Sequence, residues 1–140
     1  MLLAPGDTAS LSKTITDADV RQFADLSLDA NPLHLNEEYA RQARFGQRIC
    51  HGMLYGALVS AVIGNQLPGP GTIYISQNFQ FLKPVFRDDT ITATVTVTAV
   101  ETARRQAVLR TDCHNQHGVL VLAGEARVLL PPAANSRFSS

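Results

Sequence analysis

The sequence predicts an α+β domain in which an antiparallel sheet wraps around one long buried helix. Residues 52–66 are apolar on almost every face of a helix and rich in small residues, and a helix that is apolar all round must be buried all round. Residues 90–100 alternate threonine with alanine or valine, which is typical of a half-buried antiparallel strand. The 140 residues are enough for one domain with a single core.

The N-terminal part is predicted to contain one strand and two short helices. Residues 8–15 have the β-branched, alternating character of a short strand. Residues 16–19, Thr-Asp-Ala-Asp, resemble a capping box with Asp in place of Glu, and apolar residues at helical spacing follow them. A turn over residues 29–34 interrupts this helix, and Asn36 is placed to cap a second helix through residues 37–43.

The C-terminal half is predicted to be four strands in a meander. Residues 67–71, Leu-Pro-Gly-Pro-Gly, end the buried helix. The strands are expected over residues 72–83, 90–100, 106–112 and 119–130. An antiparallel sheet around one hydrophobic helix is the hot dog architecture, which we assign to residues 1–132. The remaining residues, 133–140, are predicted to form a frayed tail.

Composition excludes several functional classes. The chain is 45% hydrophobic and 17% charged, and its twelve basic residues balance twelve acidic ones. No basic stripe supports nucleic-acid binding, and no apolar run approaches the roughly 20 residues of a membrane span. Two cysteines are too few for a disulfide framework, and the N-terminus is too short and broken for a signal peptide. These features predict a cytoplasmic protein that binds neither nucleic acid nor membrane.

The most informative segment is residues 29–34, Asp-Ala-Asn-Pro-Leu-His. Pro32 fixes its own φ and pushes Asn31 toward an extended conformation, so we expect a shaped turn rather than a helix. Such a turn lets the Asp29 carboxylate and the His34 imidazole converge on one small volume, as general acid–base chemistry on a bound water requires. The alternative interpretation is an Asx turn with His34 merely packed beside it.

Residues 27–34 and 49–53 together resemble the signature of the MaoC-like, (R)-specific enoyl-CoA hydratases. Residues 67–71 and 73–85 resemble the short, single hot dog members of that family, so the similarity covers roughly residues 5–131. One departure is Leu28, where the family commonly has glycine. This departure affects only the loop geometry beside Asp29.

The resemblance implies reversible hydration of a trans-2-enoyl-CoA to the (R)-3-hydroxyacyl-CoA. No metal or redox cofactor is implied, since coenzyme A is part of the substrate. Asp29 and His34 would hold one water, which adds its hydroxyl to C3 while a proton reaches C2. The backbone N–H of Gly52 would polarise the thioester oxygen, because helix-start amides are unpaired and the helix dipole is positive there.

Four further residues are assigned supporting roles. Asn31 is expected to position the loop or to bond the catalytic pair, and His51 is either a structural residue or a contact to substrate. Ser60 matches a polar position of the family, and we expect it either to hydrogen-bond the pair or to serve close packing. Ile63 lies one turn further along the same helix and either forms the floor of an acyl tunnel or packs in the core.

Three other functions stay open. A 3-hydroxyacyl-thioester dehydratase acting on acyl carrier protein would use the same catalytic residues, and only a cationic docking patch would distinguish it. The candidates for that patch are Arg41, Arg44, Arg48 and Lys83. A hot dog thioesterase is a further alternative, but thioester hydrolysis does not explain why Asp29 and His34 occur together. A non-catalytic acyl-thioester-binding or assembly subunit is disfavoured because Asp29 and His34 are both intact.

A homodimer is the expected assembly. The low charged fraction agrees with a surface that another subunit partly covers. Residues 72–83 are predicted to form a long apolar strand that continues the sheet across a two-fold axis, because exposed edges invite pairing. The family resemblance points to two hot dogs side by side. Acyl-chain length, pathway and the residues that bind the CoA nucleotide are not determined by the sequence.

Overall fold

A computed structural model describes residues 2–132, so the predicted tail at 133–140 lies outside the described residues. The elements are β1 (Thr8–Thr14), α1 (Asp17–Ser27), α2 (Pro32–Leu35), α3 (Glu37–Arg41), α4 (Gly52–Asn65), β2 (Ile73–Phe81), β3 (Thr90–Glu101), β4 (Gln106–His114) and β5 (Leu120–Leu129). A short 3₁₀ turn, Thr102–Arg104, joins β3 to β4. The five strands form one antiparallel sheet, with α4 packed against it, which confirms the α+β hot dog fold.

Both predicted helix caps are present. Thr16 caps α1: the Asp19 N–H donates to the Thr16 hydroxyl at 3.1 Å, and the Thr16 N–H donates to the Asp19 carboxylate at 2.9 Å. The latter bond is the main reason why the pKa of Asp19 is lowered. Asn36 caps α3 by accepting a hydrogen bond from the Tyr39 N–H at 3.0 Å. Local hydrogen bonds of this kind are readable from sequence because both partners are close in the chain.

The predicted four-strand meander is wrong in its first step. The strand order is β1-β3-β4-β5-β2, so β2 pairs with β5 and lies at the edge opposite β1. The start of β3 is tied instead to the end of β1: the Ile15 N–H donates to Asp89 O at 2.9 Å, and the Asp88 N–H donates to Ile15 O at 2.6 Å. With the start of β3 held beside β1, residues 82–89 cross the domain from one edge of the sheet toward the other. A tight hairpin between β2 and β3 would instead have left these two strands side by side.

The prediction that the central helix is buried all round is also wrong for a single chain. The inner face of α4 is buried, with Val59 and Val62 inaccessible to solvent. A stripe along the opposite face is exposed; it consists of Met53, Ala57, Ser60 and Gly64. Their spacing of three or four residues places them on one side of the helix. Within residues 2–132, no helix is both long and apolar enough to cross a membrane.

Candidate active site

The segment that carries Asp29 begins where α1 ends. Leu28 is the C-cap of α1, has a left-handed backbone with φ 69°, and donates its N–H to Ala24 O at 2.9 Å. A helix C-cap in this conformation is usually glycine, because a Cβ is unfavourable there. The departure of Leu28 from the family pattern therefore falls at the one position of this loop where the backbone favours glycine.

His34 lies on a helix of a single turn, α2, whereas the sequence predicted a turn without a helix. That prediction is wrong because Pro32 occupies the first helical position, where a missing N–H costs nothing. Asn31 caps α2 by accepting a hydrogen bond from the Leu33 N–H at 2.9 Å. The Asn31 N–H also approaches the Asp29 carboxylate at 3.4 Å. The Asx-type hydrogen bonds of this loop therefore do not exclude the convergence of Asp29 and His34, and Asn31 organises the loop.

The His34 ring is oriented by the chain just before α4. Its Nδ1 lies 2.8 Å from the carbonyl oxygen of Ile49. Because a carbonyl can only accept, Nδ1 carries a proton, and in the neutral ring Nε2 is left as an acceptor. The His34 side chain is 9% exposed. This arrangement leaves one ring nitrogen able to accept a proton from a ligand in the cleft.

Three groups meet at this point. A carboxylate oxygen of Asp29 and one ring nitrogen each of His34 and His51 lie within 4.8 Å of one another. Two hydrogen bonds of about 2.8 Å to one water oxygen span roughly 4.5 Å, so a single water can bridge such groups. The predicted convergence of Asp29 and His34 is thus present in the fold.

His51 contacts both members of this pair. Its Nε2 donates to the Asp29 main-chain carbonyl at 2.9 Å, and its ring stacks on the His34 ring with centroids 3.9 Å apart. The ring is 2% exposed and also meets Phe23 edge-on at 4.9 Å. Among the described residues, its Nδ1 has no hydrogen-bond partner. His51 therefore holds Asp29 by its backbone and supports His34 by packing.

Burial is the largest cause that lowers the pKa of His51, and the neighbouring His34 lowers it further, while the hydrogen bond to Asp29 opposes them. The folded protein therefore holds the neutral ring more firmly than the unfolded chain does. The unfolded chain therefore binds a proton at His51 more readily than the folded protein does. As the pH falls below the pKa of His51 in the unfolded chain, about 6.5, the free energy of unfolding decreases.

The two histidines do not offer a complete metal site to the cleft. His51 Nε2 is hydrogen-bonded to a main-chain carbonyl, and its Nδ1 is buried. His34 Nε2 and the Asp29 carboxylate are then the two groups left to bind a ligand, fewer than the three protein ligands of a catalytic zinc site. The arrangement suits a hydrogen-bonded water.

Gly52 is the first residue of α4 and faces the same cleft. The first N–H groups of a helix have no carbonyl partner within it, and they lie at the positive end of the helix dipole. A Cβ built on Gly52 would lie 2.4 Å from Cε1 of Phe81, so a larger residue does not fit without displacing that ring. The predicted oxyanion donor therefore stands at a helix start where the Phe81 ring occupies the space that a side chain would need.

The cleft has a volume of about 580 Å³. It is lined by Asp29, His34, Arg44, Phe45, Ile49, Cys50, His51, Gly52, Met53, Tyr55, Phe81, Leu82, Lys83, Pro84 and Val85. Burial raises the pKa of the Cys50 thiol and of the Tyr55 phenol to about 12, so both stay protonated at neutral pH. A protonated thiol is a poor nucleophile, so Cys50 is not assigned a nucleophilic role.

The four candidate docking cations separate into two kinds. Arg41 pairs with Glu38, and the buried Arg48 pairs with Asp17. Arg44 and Lys83 both line the cleft, and across residues 2–132 neither of them has a carboxylate within 4.0 Å. Of the four candidates, the two without a carboxylate partner among the described residues are thus the two that line the cleft.

Ser60 and Ile63 lie outside the cleft lining of one chain. Ser60 is on the exposed stripe of α4, and the predicted hydrogen bond to the catalytic pair is not formed within this chain. Ile63 is 3% exposed and belongs to the hydrophobic core. The two residues are neighbours around α4, as a spacing of three residues predicts. Burial nevertheless separates them, because Ser60 lies on the solvent side of the edge of the core and Ile63 on the core side.

The sequence did not reveal the two residues that support His34 through long-range hydrogen bonds. The sequence predicts Arg48 only as a candidate docking cation, yet its side chain is 3% exposed. Ile49 was read only as part of a family signature, but its carbonyl fixes the His34 ring. No local pattern marks either residue, because both act through contacts that are 14 or 15 residues apart in the chain.

Residues 4–123 match the family model described as MaoC like domain. The chain belongs to the MaoC-like family. It is 48% identical over 126 residues to a Rhodospirillum rubrum protein named (R)-specific enoyl-CoA hydratase, covering 90% of this chain and 87% of the relative. It is 34% identical to an Arabidopsis thaliana protein named 3-hydroxyacyl-[acyl-carrier-protein] dehydratase, mitochondrial, covering 93% and 79%.

Among solved structures, the (R)-hydratase from Aeromonas caviae involved in PHA biosynthesis superposes with a TM-score of 0.89. The two chains are 46% identical, and the match covers 92% of this MaoC-like chain and 98% of the other. Similarity of this extent confirms the family that the two sequence motifs indicated.

Replacing Leu28 with glycine is expected to stabilise the protein. A non-glycine residue in the left-handed region costs roughly 1–2 kcal/mol, and the greater freedom of glycine in the unfolded chain offsets roughly 0.5–1 kcal/mol of the gain. We expect the free energy of unfolding in urea to rise by about 0.5–1 kcal/mol. Because the Leu28 side chain is 87% exposed, no packing is lost.

Leu26→Gly is the matched control. Leu26 is 84% exposed and lies within α1, where glycine is expected to cost about 1 kcal/mol. A Leu28→Gly variant that is as destabilised as Leu26→Gly would contradict the strained-cap interpretation.

Proposed function

We propose that this MaoC-like protein is a hydro-lyase that reversibly adds water to a trans-2-enoyl-CoA to give the (R)-3-hydroxyacyl-CoA. The observation that carries the proposal is the convergence of Asp29, His34 and the start of α4 on one cleft. The relatives named (R)-specific enoyl-CoA hydratase, at 46–48% identity, support the same reaction here.

In the proposed reaction, one water is held between the Asp29 carboxylate and the His34 imidazole. Water is a poor nucleophile until a base takes its proton, and the pair supplies that base. As the water oxygen bonds to C3, the C2–C3 π electrons move toward the thioester. The pair then delivers a proton to C2, so that a hydroxyl and a hydrogen are added and the pair returns to its initial protonation state.

Negative charge that develops on the thioester oxygen needs a fixed donor. The Gly52 N–H is the group we assign to it, because Gly52 is the first residue of α4, where amides have no partner within the helix and the helix dipole is positive. One donor of this kind typically contributes about 3 kcal/mol to the transition state. Proton transfer and charge stabilisation both come from this chain, so the proposal includes no metal or redox cofactor.

The reaction and its stereochemistry are tested with crotonyl-CoA. We expect loss of the enoyl absorbance, and we expect the product to be oxidised by an (R)-specific and not by an (S)-specific 3-hydroxyacyl-CoA dehydrogenase. Efficient NADH formation with the (S)-specific enzyme would overturn the stereochemical assignment, and an unchanged absorbance would overturn the hydratase assignment.

Asp29→Asn and His34→Ala are each expected to reduce kcat with crotonyl-CoA by about 10²- to 10⁴-fold, because each removes one end of the water clamp. The double variant should be scarcely slower than either single variant, since groups that act as a unit are not additive.

Asp25→Asn and His117→Ala are the matched controls, since they make the same chemical changes at residues that do not line the cleft. Either catalytic-pair variant with more than about a tenth of the wild-type kcat would contradict the assignment.

We propose coenzyme A as the carrier, with Arg44 and Lys83 binding its phosphates. Two unpaired cations at the cleft suit a few phosphate groups, whereas a large acidic carrier protein is better matched by an extended basic patch. The relatives named for CoA substrates are also more similar to this chain than the relative named for acyl carrier protein.

The double variant Arg44→Gln, Lys83→Gln is expected to raise the KM for crotonyl-CoA about tenfold, the equivalent of about 1.4 kcal/mol, with little change in kcat. Crotonyl-pantetheine lacks the phosphates, so its KM should not respond. The control is Arg110→Gln, whose side chain is exposed on β4, away from the cleft. An equal loss with both substrates would contradict phosphate binding.

We also propose that the protein is a homodimer in the cytoplasm. The buried, unbridged Cys50 and Cys113 fit a reducing compartment. Among residues 2–132, strand β2 pairs with β5 alone, so its other edge is unpaired there. Large apolar side chains are exposed along and after this strand: Ile73, Tyr74, Ile75, Phe81 and Leu82. Continuation of the sheet through β2, with the exposed stripe of α4 beside it, would cover both surfaces.

Light scattering at micromolar concentration is expected to give about 30 kDa, twice the 15.2 kDa of one chain. Ile75→Lys should shift the species toward the monomer, because a lysine on an edge strand opposes pairing. Ser12→Lys, which places a lysine on the other edge strand, β1, should leave the dimer intact. A wild-type protein of 15.2 kDa that still hydrates crotonyl-CoA would contradict the proposal.

A further inference from the structure

One buried charge takes no direct part in the proposed chemistry. The Arg48 side chain is 3% exposed, although a guanidinium stays protonated in proteins. A buried charge is strongly destabilising unless it is paired and hydrogen-bonded. Each of its nitrogens has a partner: Nε donates to His34 O at 2.7 Å, Nη2 to Asp17 at 2.5 Å, and Nη1 approaches Glu37 at 3.5 Å.

The three partners of Arg48 belong to three different helices. Asp17 is the first residue of α1, and Glu37 is the first residue of α3. Carboxylates at these positions are favourable because each lies at the positive end of a helix dipole. The third partner is the main-chain carbonyl of His34 in α2. A single guanidinium therefore ties the helix that carries His34 to its two neighbours.

Helix α2 depends on such external bonds because it has only four residues. Its carbonyls are satisfied from the chain before α4: Leu33 O accepts from the Ile49 N–H at 3.4 Å, and His34 O accepts from Arg48. In the opposite direction, the His34 ring donates to Ile49 O. Residues 48 and 49 thus hold His34 by its backbone and by its ring at once.

We propose that Arg48 is a positioning residue for His34, which fixes the backbone of α2 so that the ring keeps its bond to Ile49 and presents Nε2 to the cleft. The catalytic part of this inference rests on the proposed function, in which His34 reacts with the water. The structural part, the control of the His34 tautomer, does not depend on it.

The ion pairs of Arg48 with Asp17 and Glu37 do not by themselves explain why an arginine is buried here. Asp17 also pairs with Arg21 at 2.9 Å, and Glu37 also pairs with Arg87 at 2.6 Å. Both carboxylates therefore keep a cation when Arg48 is replaced. The bond to His34 O is the contact that Arg48 alone provides. Arg87, which shares Glu37 with Arg48 but has no hydrogen bond to His34, offers a matched control.

The test compares Arg48→Lys with Arg87→Met. Lysine keeps the charge, but its compact ammonium cannot reach three separate partners as the guanidinium fork does. We expect Arg48→Lys to lower kcat with crotonyl-CoA by about 10²-fold, the usual effect of a small displacement of a reacting group, with a much smaller change in KM. Arg87→Met should leave both constants within about twofold of wild type, because His34 is undisturbed.

The second readout is the ¹⁵N spectrum of the His34 ring. In the wild type we expect the tautomer with a proton on Nδ1; in Arg48→Lys we expect a mixture of both tautomers, and in Arg87→Met the wild-type pattern. A positioning role moves this spectrum, whereas a general loss of stability does not. If His34→Ala retained full activity, the proposed function would fail while the tautomer comparison still tested Arg48.

Arg48→Gln is the second variant and removes the buried charge. An Arg48→Lys or Arg48→Gln protein that keeps the wild-type tautomer and a kcat within about threefold of wild type would overturn the proposal. If both variants are unfolded by far-UV circular dichroism while Arg87→Met is folded, Arg48 is a stabilising charge and the proposal is overturned as well.

Discussion

Every group of the candidate site is held from the four residues that lead into α4. Ile49 fixes the His34 ring through its carbonyl, and His51 holds the backbone of Asp29. Residue 50 anchors this strip to the opposite side of the cleft, since the Cys50 N–H donates to Val85 O at 2.7 Å. The strip then continues directly into the N-terminus of α4. The geometry of the pair and of the helix amide is thus set by one short length of chain.

This dependence explains why the cleft contains so many buried polar groups with defined partners. A buried imidazole or guanidinium costs free energy unless its polar atoms are hydrogen-bonded, so each such bond constrains the neighbouring groups. Among the described residues, His51 Nδ1 is the exception that has no partner. Stacking of the two histidines has the further effect that a second positive charge on the rings is unfavourable, and burial already lowers the pKa of His51. The His51 ring therefore favours its neutral form beside the Asp29 carboxylate.

Two surfaces of a single chain, the outer edge of β2 and the exposed stripe of α4, are not covered by other elements of the described chain, and both lie near the cleft. The end of β2 contributes Phe81 to the cleft wall and to the contact with Gly52, while no strand of the described part of the chain lies beside its outer edge. The outer stripe of α4 begins at Met53, which also lines the cleft. A second copy that paired with β2 would therefore border the site, which gives a physical reason to connect assembly with activity.

The sequence by itself determined the features that depend on neighbours in the chain. The capping pair of Thr16 and Asp19, the cap at Asn36 and the alternating burial of β3 follow from hydrogen bonds and periodicity over a few residues. The motif from Asp29 to His34 and the glycine at the start of α4 were likewise readable, because they are local and chemically distinctive.

Tertiary structure decided what depends on contacts distant in sequence. Helix α2 is too short to form alone and exists because residues 48 and 49 satisfy its carbonyls. The position of β2 at the far edge follows from bonds between residue 15 and residues 88–89, which no periodicity reveals. Burial of Arg48 and the separation of Ser60 from Ile63 likewise depend on how the elements pack. Hydrophobic patterning specifies which face of an element is apolar, but only packing determines what, if anything, covers it.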